Sequence, residues 1–242
     1  MTISAPKIGH LSSDSDDAFA VANRLDGSGI RLAVADGATS SSFSGLWAAM
    51  LVQSFVSEPF LDEAALLARC SFDAKRWQAT INAMTLPWHA KKQASRGAHA
   101  TFAGVEITTC GDSAWRAIAI GDSCVMHLRD GRILDAFPYH HGASFDNHPK
   151  LLATSPIYND TSGAGDITIA EGVALSGDVL ILATDAVAKF LFDRSSDGFE
   201  PLFASLAESG AEECSLDTTV ARLREAGELA NDDLTAVIII FV

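Results

Sequence analysis

The sequence predicts an α+β domain in which β-sheets are covered by helices. Short apolar runs rich in β-branched residues recur along the chain, at Arg31–Thr39, Arg116–Asp122, Val179–Asp185 and Thr235–Val242. Bounded by Gly, Asp or Ser, runs of this length read as buried strands. These strands come in groups separated by groups of helical segments, not in βαβ alternation. That ordering favours sheets with helices packed on them. A chain of 242 residues, 48% of them hydrophobic, has enough apolar material for one good core. No internal linker, repeat or low-complexity tail is visible, so residues 1–242 are expected to form one domain.

Taken in order, Asp17–Asn23 and Ile30–Ala35 read as a hairpin around the turn-forming stretch Arg24–Gly29. Thr39–Ser42 offers N-cap candidates. Phe43, Leu46, Trp47, Met50, Leu51 and Phe55 then follow at helical spacing, which marks a core-facing stripe. A second helical zone covers about 63–84. Pro87 and the basic patch Lys91–Arg96 read as a connection. Strands are expected over about 99–109 and 114–121, and the Asp-Gly pair within Arg129–Arg132 signals another hairpin. From Pro138 to Gly165 the pattern dissolves into a long irregular stretch, of the kind that often carries function. Helical zones at about 186–193, 199–208 and 217–229 precede the closing strand.

The runs share a second property. The first three end on Asp36, Asp122 and Asp185, and the last is preceded by Asp232 and Asp233. If the last strand runs antiparallel to the other three, these carboxylates gather at one sheet edge. Clustered carboxylates repel one another unless a cation is present, so the arrangement points to hard divalent ions.

Composition narrows the alternatives. A formal net charge of −14 is the wrong sign for a general nucleic-acid binder. No apolar run is long enough for a membrane span, and no signal peptide is visible, so a cytoplasmic protein is expected. Cys70, Cys110, Cys124 and Cys214 are scattered without CxxC spacing and read as reduced packing residues.

Six motifs then occur in a telling order: Asp14-Ser-Asp-Asp-Ala-Phe19, Val34-Ala-Asp-Gly37, Gly97-Ala-His-Ala-Thr101, Gly121-Asp-Ser123, Leu182-Ala-Thr-Asp185 and Asn231-Asp-Asp-Leu-Thr235. Together they resemble the metal-dependent protein Ser/Thr phosphatases of type 2C, the PPM family, in their compact bacterial form. The resemblance implies a four-layer α-β-β-α sandwich of two antiparallel sheets flanked by helices. It implies two Mn²⁺ or Mg²⁺ ions, with a third ion in some members, and a metal-bound water that attacks a phosphoester directly. It also implies roles. Asp36 matches the carboxylate bridging both ions, with the Gly37 carbonyl on the second. Asp185 and Asp232 match ligands of the first ion, Asp17 a ligand of the second, and Asp122 a ligand of the weaker third. Asp16 and Asp233 read as neighbours of the ligands. Oxygen ligands suit hard Mg²⁺ and Mn²⁺, and such ions can acidify a water and stabilise an in-line displacement.

The chain departs from the family at Ser12, where members usually carry a phosphate-holding Arg. That loss removes a bidentate clamp. His10, Arg24 and Arg96 are the candidates to replace it. His140, His141, Asp146 and His148 fit no tight zinc motif and fall where the family has a variable flap. Lys91, Lys92 and Arg96 read as a solvated loop, or as steering groups for a phosphorylated partner. The expected function is hydrolysis of phosphoserine or phosphothreonine in proteins, reversing a bacterial Ser/Thr kinase, by a monomer. The competing readings are a pseudophosphatase that binds a regulatory partner and a phosphatase of a small phosphorylated metabolite.

Overall fold

The computed structural model describes residues 1–109, 113–139, 149–155, 167–193 and 213–242. In chain order the strands begin with β1 (Thr2–Ala5), β2 (Asp17–Asn23), β3 (Gly29–Asp36) and β4 (His99–Ala100). They continue with β5 (Phe102–Thr108), β6 (Ser113–Ile120), β7 (Cys124–Arg129) and β8 (Arg132–Phe137). The last four are β9 (Leu152–Ala153), β10 (Ile167–Ala174), β11 (Val179–Ala183) and β12 (Leu234–Ile240). The helices are α1 (Ser44–Ser57), α2 (Glu63–Ala83), α3 (Trp88–Ala94), α4 (Asp185–Asp193) and α5 (Glu213–Glu225).

Two five-stranded antiparallel sheets result, in the orders β1-β12-β11-β7-β8 and β10-β6-β5-β3-β2. A short third pairing joins β4 to β9. Side chains alternate across each strand, and both faces are apolar. In β3, Leu32 and Val34 point into the layer between the sheets, where they meet Val105, Ala117, Leu180, Leu182 and Val237. Ala33 and Ala35 point the other way, under Trp47, Leu51 and Phe55 of α1 and Trp77 of α2. On the opposite outer face, Ile181, Ala236 and Ile238 pack under Phe190, Leu191, Val220 and Leu223 from α4 and α5. Burial on both faces is why these strands read as continuous apolar runs. The layers are helix, sheet, sheet, helix, as the motif resemblance implied.

Small residues set the spacing of the outer layer. A methyl at Gly104 of β5 would lie 2.8 Å from the Phe55 ring, so glycine there lets α1 settle close to the sheet. Phe55, Phe60 and Phe102 then form an edge-and-tilt aromatic cluster.

Several local expectations are corrected. The hydroxyls of Thr39–Ser42 do not cap α1. Phe43 occupies the N-cap position at φ 60, and the capping carboxylate comes from Asp16, whose Oδ1 accepts from Ser44 Oγ at 2.8 Å and Gly45 N–H at 3.2 Å. The supposed connection at 87–96 contains α3, which starts after Pro87, whose φ of −64 suits a helix entry. The irregular stretch from 138 contains β9, recognised only through its partner β4. The final helix covers Glu213–Glu225 instead of 217–229. The expected helix at 199–208 and the residues His140, His141, Asp146 and His148 lie outside the described residues.

At the edge where β11 begins, Asp178 ties three segments together. Its side chain is 1% exposed and accepts from Arg129 Nε and Nη2, both at 2.7 Å, from Leu175 N–H at 2.8 Å, and contacts His127 Nε2 at 2.8 Å. The Arg129 guanidinium holds the carboxyl well below its usual range against the opposing effect of burial. A depressed carboxyl contributes stability above its ordinary titration range and loses it as pH falls from that range down through its own depressed one. Asp178→Asn is expected to cost about 2–3 kcal/mol in urea unfolding near neutral pH, because it leaves Arg129 without its buried partner. The gap between wild type and variant should begin to narrow as pH falls below about 5 and should still be narrowing at about pH 2. A pH-independent gap would mean that the carboxyl's charge contributes nothing.

Candidate metal centre

The carboxylates converge because of where their strands stop. β2 begins at Asp17, β3 ends at Asp36, and the register places the two directly opposite each other. β6 ends just before Gly121-Asp122, β11 ends just before Thr184-Asp185, and β12 begins just after Asp232-Asp233. With every pairing antiparallel, all of these termini fall on one edge of the two-sheet stack.

Polar residues between the carboxylates lock that edge. Thr184 Oγ1 donates to Asp17 Oδ2 at 2.9 Å and accepts from Thr235 N–H at 3.1 Å, so one hydroxyl joins the two sheets. The Asp36 carbonyl accepts from Thr101 N–H at 2.9 Å, and the Thr101 hydroxyl pairs with Ser123 at 2.7 Å, beside Asp122. Asp233 is 3% exposed, and its two oxygens accept from the Lys7 and Asp16 N–H groups, each at 2.9 Å. That clamps the loop leading to Asp17 against the start of β12. Arg224 donates to the carbonyls of Pro6 and Asp232 and holds the other side of the same loop. Gly37 N–H donates to the Asp16 carbonyl at 3.0 Å, and a methyl at Gly37 would lie 2.6 Å from the Ser44 backbone. Only glycine fits between the Asp36 turn and α1.

The electrostatics are strained. Burial raises the Asp36 carboxyl well above its usual range, and the neighbouring charges of Asp17, Asp185, Asp122 and Asp232 raise it further. Burial pushes Asp17 up to about 7, with Asp233 and Asp185 adding to the rise and the Thr184 hydroxyl opposing it. Asp122 is likewise raised to about 7, by burial first and then by Asp185. Burial and Asp232 raise Asp185, against the opposing hydrogen bond from Ala186 N–H. A group of half-buried carboxyls that raise one another is the inverse of a charge-balanced network.

These residues fit a divalent cation. The donors are all oxygen, which selects hard ions over zinc. Asp122 Oδ1 is buried with no hydrogen-bond partner among the described residues, an acceptor that a cation would satisfy. Among the described residues no three such side chains close into a ligand cage, so the fit rests on the oxygen chemistry of the donors and on the unpartnered Asp122 oxygen. The residues able to hold such ions are Asp36, Asp17, Asp185, Asp232 and the Gly37 carbonyl, with Asp122 beside them.

The replacements considered for the missing Arg separate clearly. Arg24 is at the far end of β2, bound to Asp26 and Glu106. His10 is exposed on the loop that Asp233 clamps, with its N–H on the Lys7 carbonyl. Arg96 lines a cleft against Ser40, Ser41 and Ser42. Sequence reasoning passed over Thr184, Thr101 and Arg224. Both threonines lie within the quoted motifs, but only Thr184, directly before Asp185, carries a local signal, and nothing local marks Arg224.

A family model described as Protein phosphatase 2C matches residues 10–225. No curated protein sequence gives a significant match. Among solved structures, the Mycobacterium tuberculosis serine/threonine phosphatase PstP/Ppp is 19% identical, with a TM-score of 0.56, over 100% of this chain and 97% of that one. The catalytic domain of PstP in complex with two manganese ions is 20% identical with the same TM-score of 0.56 and coverage of 100% and 97%. The Mycobacterium smegmatis PPM Ser-Thr phosphatase MsPP, in complex with cacodylate, is 16% identical with a TM-score of 0.57, again over 100% and 97%. At these identities the likeness is one of fold.

The cluster's repulsion makes a thermal prediction. A divalent ion that binds only the folded state adds about 2.7 kcal/mol at a hundredfold excess over Kd, or ~5–10 °C in Tm for a chain of this size. Mn²⁺ should produce such a shift in wild type and little or none in Asp36→Asn. In chelator, Asp36→Asn should melt above wild type because one repelling charge is gone. A variant that melts lower in chelator and still responds fully to Mn²⁺ would remove Asp36 from the centre.

Proposed function

Since the chain belongs to the protein phosphatase 2C family, we propose that it hydrolyses phosphoserine and phosphothreonine esters in proteins with the help of divalent ions held at the carboxylate edge. The observation that supports this most directly is the meeting of Asp17 and Asp36 in register with Asp122, Asp185 and Asp232 beside them. When bound, two Mn²⁺ or Mg²⁺ ions supply charge neutralisation at the phosphoryl oxygens and make a water acidic enough to attack phosphorus.

The chain's own residues supply position. Asp36 and the Gly37 carbonyl would stand at the centre of the site, Asp17 on one side, Asp185 and Asp232 on the other, and Asp122 would hold a third ion. Thr184 fixes Asp17 against the end of β11, so carboxylates from both sheets are tied together. Asp185 begins α4 and accepts from Ala186 N–H, which sets its orientation. A cysteine nucleophile is disfavoured at both described thiols. Burial pushes Cys70 up to about 12 and Cys124 higher still, far from the thiolate form that attack requires. The charge of −14 argues against nucleic-acid substrates. No described helix is long and apolar enough to cross a membrane. A phosphorylated protein made by a Ser/Thr kinase, met by a single-domain monomer in the cytoplasm, completes the reading.

Ser12 favours a second reading. It is exposed at the start of a single 3₁₀ turn, Ser12–Asp14, with no guanidinium to grip phosphate. A non-catalytic module that binds a partner through the same fold would tolerate that loss.

Hydrolysis of p-nitrophenyl phosphate and of phosphopeptides separates the two. Wild type with Mn²⁺ should turn over, EDTA should stop it, and Asp36→Asn should lose at least ~100-fold in rate, the scale of a single electrostatic element of a site. A loss below tenfold would count against a central role for Asp36. Absence of turnover on every phosphoester, with Mn²⁺ uptake intact by calorimetry, would replace the enzyme by the binding module.

A further inference from the structure

Beside the carboxylate edge lies a cleft of about 400 Å³, walled by Ser40–Ser42 on one side and by Gln93, Arg96 and His99 on the other. Its walls are anchored to the turn that leaves Asp36. Gly37 bridges to Ala100, and Ala38 N–H donates to the His99 carbonyl at 2.9 Å. Ser41 Oγ accepts from His99 N–H at 3.1 Å and donates to the Ala38 carbonyl at 3.0 Å. Across the mouth, Ser42 Oγ donates to Gln93 Oε1 at 3.4 Å.

The backbone behind Arg96 is equally fixed. Arg96 N–H donates to the Gln93 carbonyl, and Gly97 follows at φ 83 with its N–H on the Ala94 carbonyl. Thr154 Oγ1 accepts from Ala98 N–H at 3.0 Å and would sit 2.6 Å from a methyl at Gly97. The loop therefore holds one path, closed by the β4–β9 pairing. The Arg96 side chain is exposed and has no ion pair or hydrogen bond among the described residues. Arg24, Arg31, Arg69, Arg76 and Arg129, by contrast, are all paired. An unpaired guanidinium with hydroxyl groups opposite it suits an anion on a molecule whose overall charge repels anions, and Lys91 and Lys92 lie on the adjoining helix outside the cleft lining.

None of the carboxylates of the candidate centre lines this cleft, so its occupant is distinct from the phosphoryl group under attack. Resting on the phosphatase reading above, we propose that this cleft is a specificity subsite for a second anion on the substrate. That anion is an acidic side chain or second phosphate flanking the phosphorylated residue, and Arg96 is its anchor.

The test compares Mn²⁺-loaded wild type, Arg96→Ala and Arg96→Lys on three substrates: p-nitrophenyl phosphate, a phosphothreonine peptide with neutral flanks and the same peptide with Asp and Glu flanks. Wild type should favour the acidic-flanked peptide through KM. Arg96→Ala should lose about tenfold in kcat/KM on that peptide alone, the scale of one charge-assisted contact, and Arg96→Lys should recover part of it. An equal loss on all three substrates would place Arg96 on the scissile phosphoryl group and overturn the proposal. So would an unchanged preference for acidic flanks. Binding of the unphosphorylated acidic peptide, followed by fluorescence anisotropy, reads the subsite without catalysis. Wild-type binding that Arg96→Ala abolishes would support the subsite even if no phosphoester were turned over, and absence of wild-type binding there would sink it.

Discussion

Two sheets that bury one face against each other and the other under helices leave polar groups few places to go. In β3, β5, β6, β11 and β12 nearly every side chain is enclosed, and inward-pointing charge in either layer would be desolvated without a partner. Apart from the cross-strand ion pair of Arg31 with Glu106, unpaired charge is therefore pushed toward the strand ends. Because every neighbour is antiparallel, ends from both sheets collect along common edges. The carboxylate cluster is thus a consequence of the packing, and the apolar runs that build the core also deliver its acidic residues.

What keeps that edge from flying apart is a set of neutral hydrogen bonds. Thr184, Thr101 and Ser123 bind the carboxylate-bearing turns to one another without adding or cancelling charge. Asp233 accepts from two backbone N–H groups and clamps a loop, while Asp16 accepts from the Ser44 hydroxyl and the Gly45 N–H and caps α1. The acidic residues therefore divide into those whose charge is satisfied by the chain and those whose charge is not. The second group, Asp17, Asp36, Asp122 and Asp185, carries the raised titration behaviour, and burial leads in each case.

Much of this was legible before the fold was known. Strands buried on both faces are apolar throughout and short, so β3, β11 and β12 stood out, and the Asp-Gly pair at 130–131 announced the β7–β8 hairpin. The residues that escaped share a reason: their role depends on contacts remote in sequence. Asp16 caps a helix that begins 28 positions later, while the adjacent Ser residues, better cap candidates by proximity, face the cleft instead. β9 is two residues long and exists only because β4 is there to pair with it. Arg96 could be named as a candidate, but only the Gly37–Ala100 bridge shows why it stands near the centre and Arg24 does not.

The two ends of β11 answer to acid differently. At one end Asp178 has its counterion built into the chain, in Arg129, with His127 Nε2 beside it at 2.8 Å. At the other, Thr184-Asp185 opens onto Asp17, Asp36 and Asp122, whose carboxyls are held above their usual range by burial and by their neighbours' charge. Only five residues of strand separate them. A fall in pH therefore reaches the crowded end first and the neutralised end last. A single strand thus runs from one of the molecule's strongest acids to some of its weakest carboxylic acids.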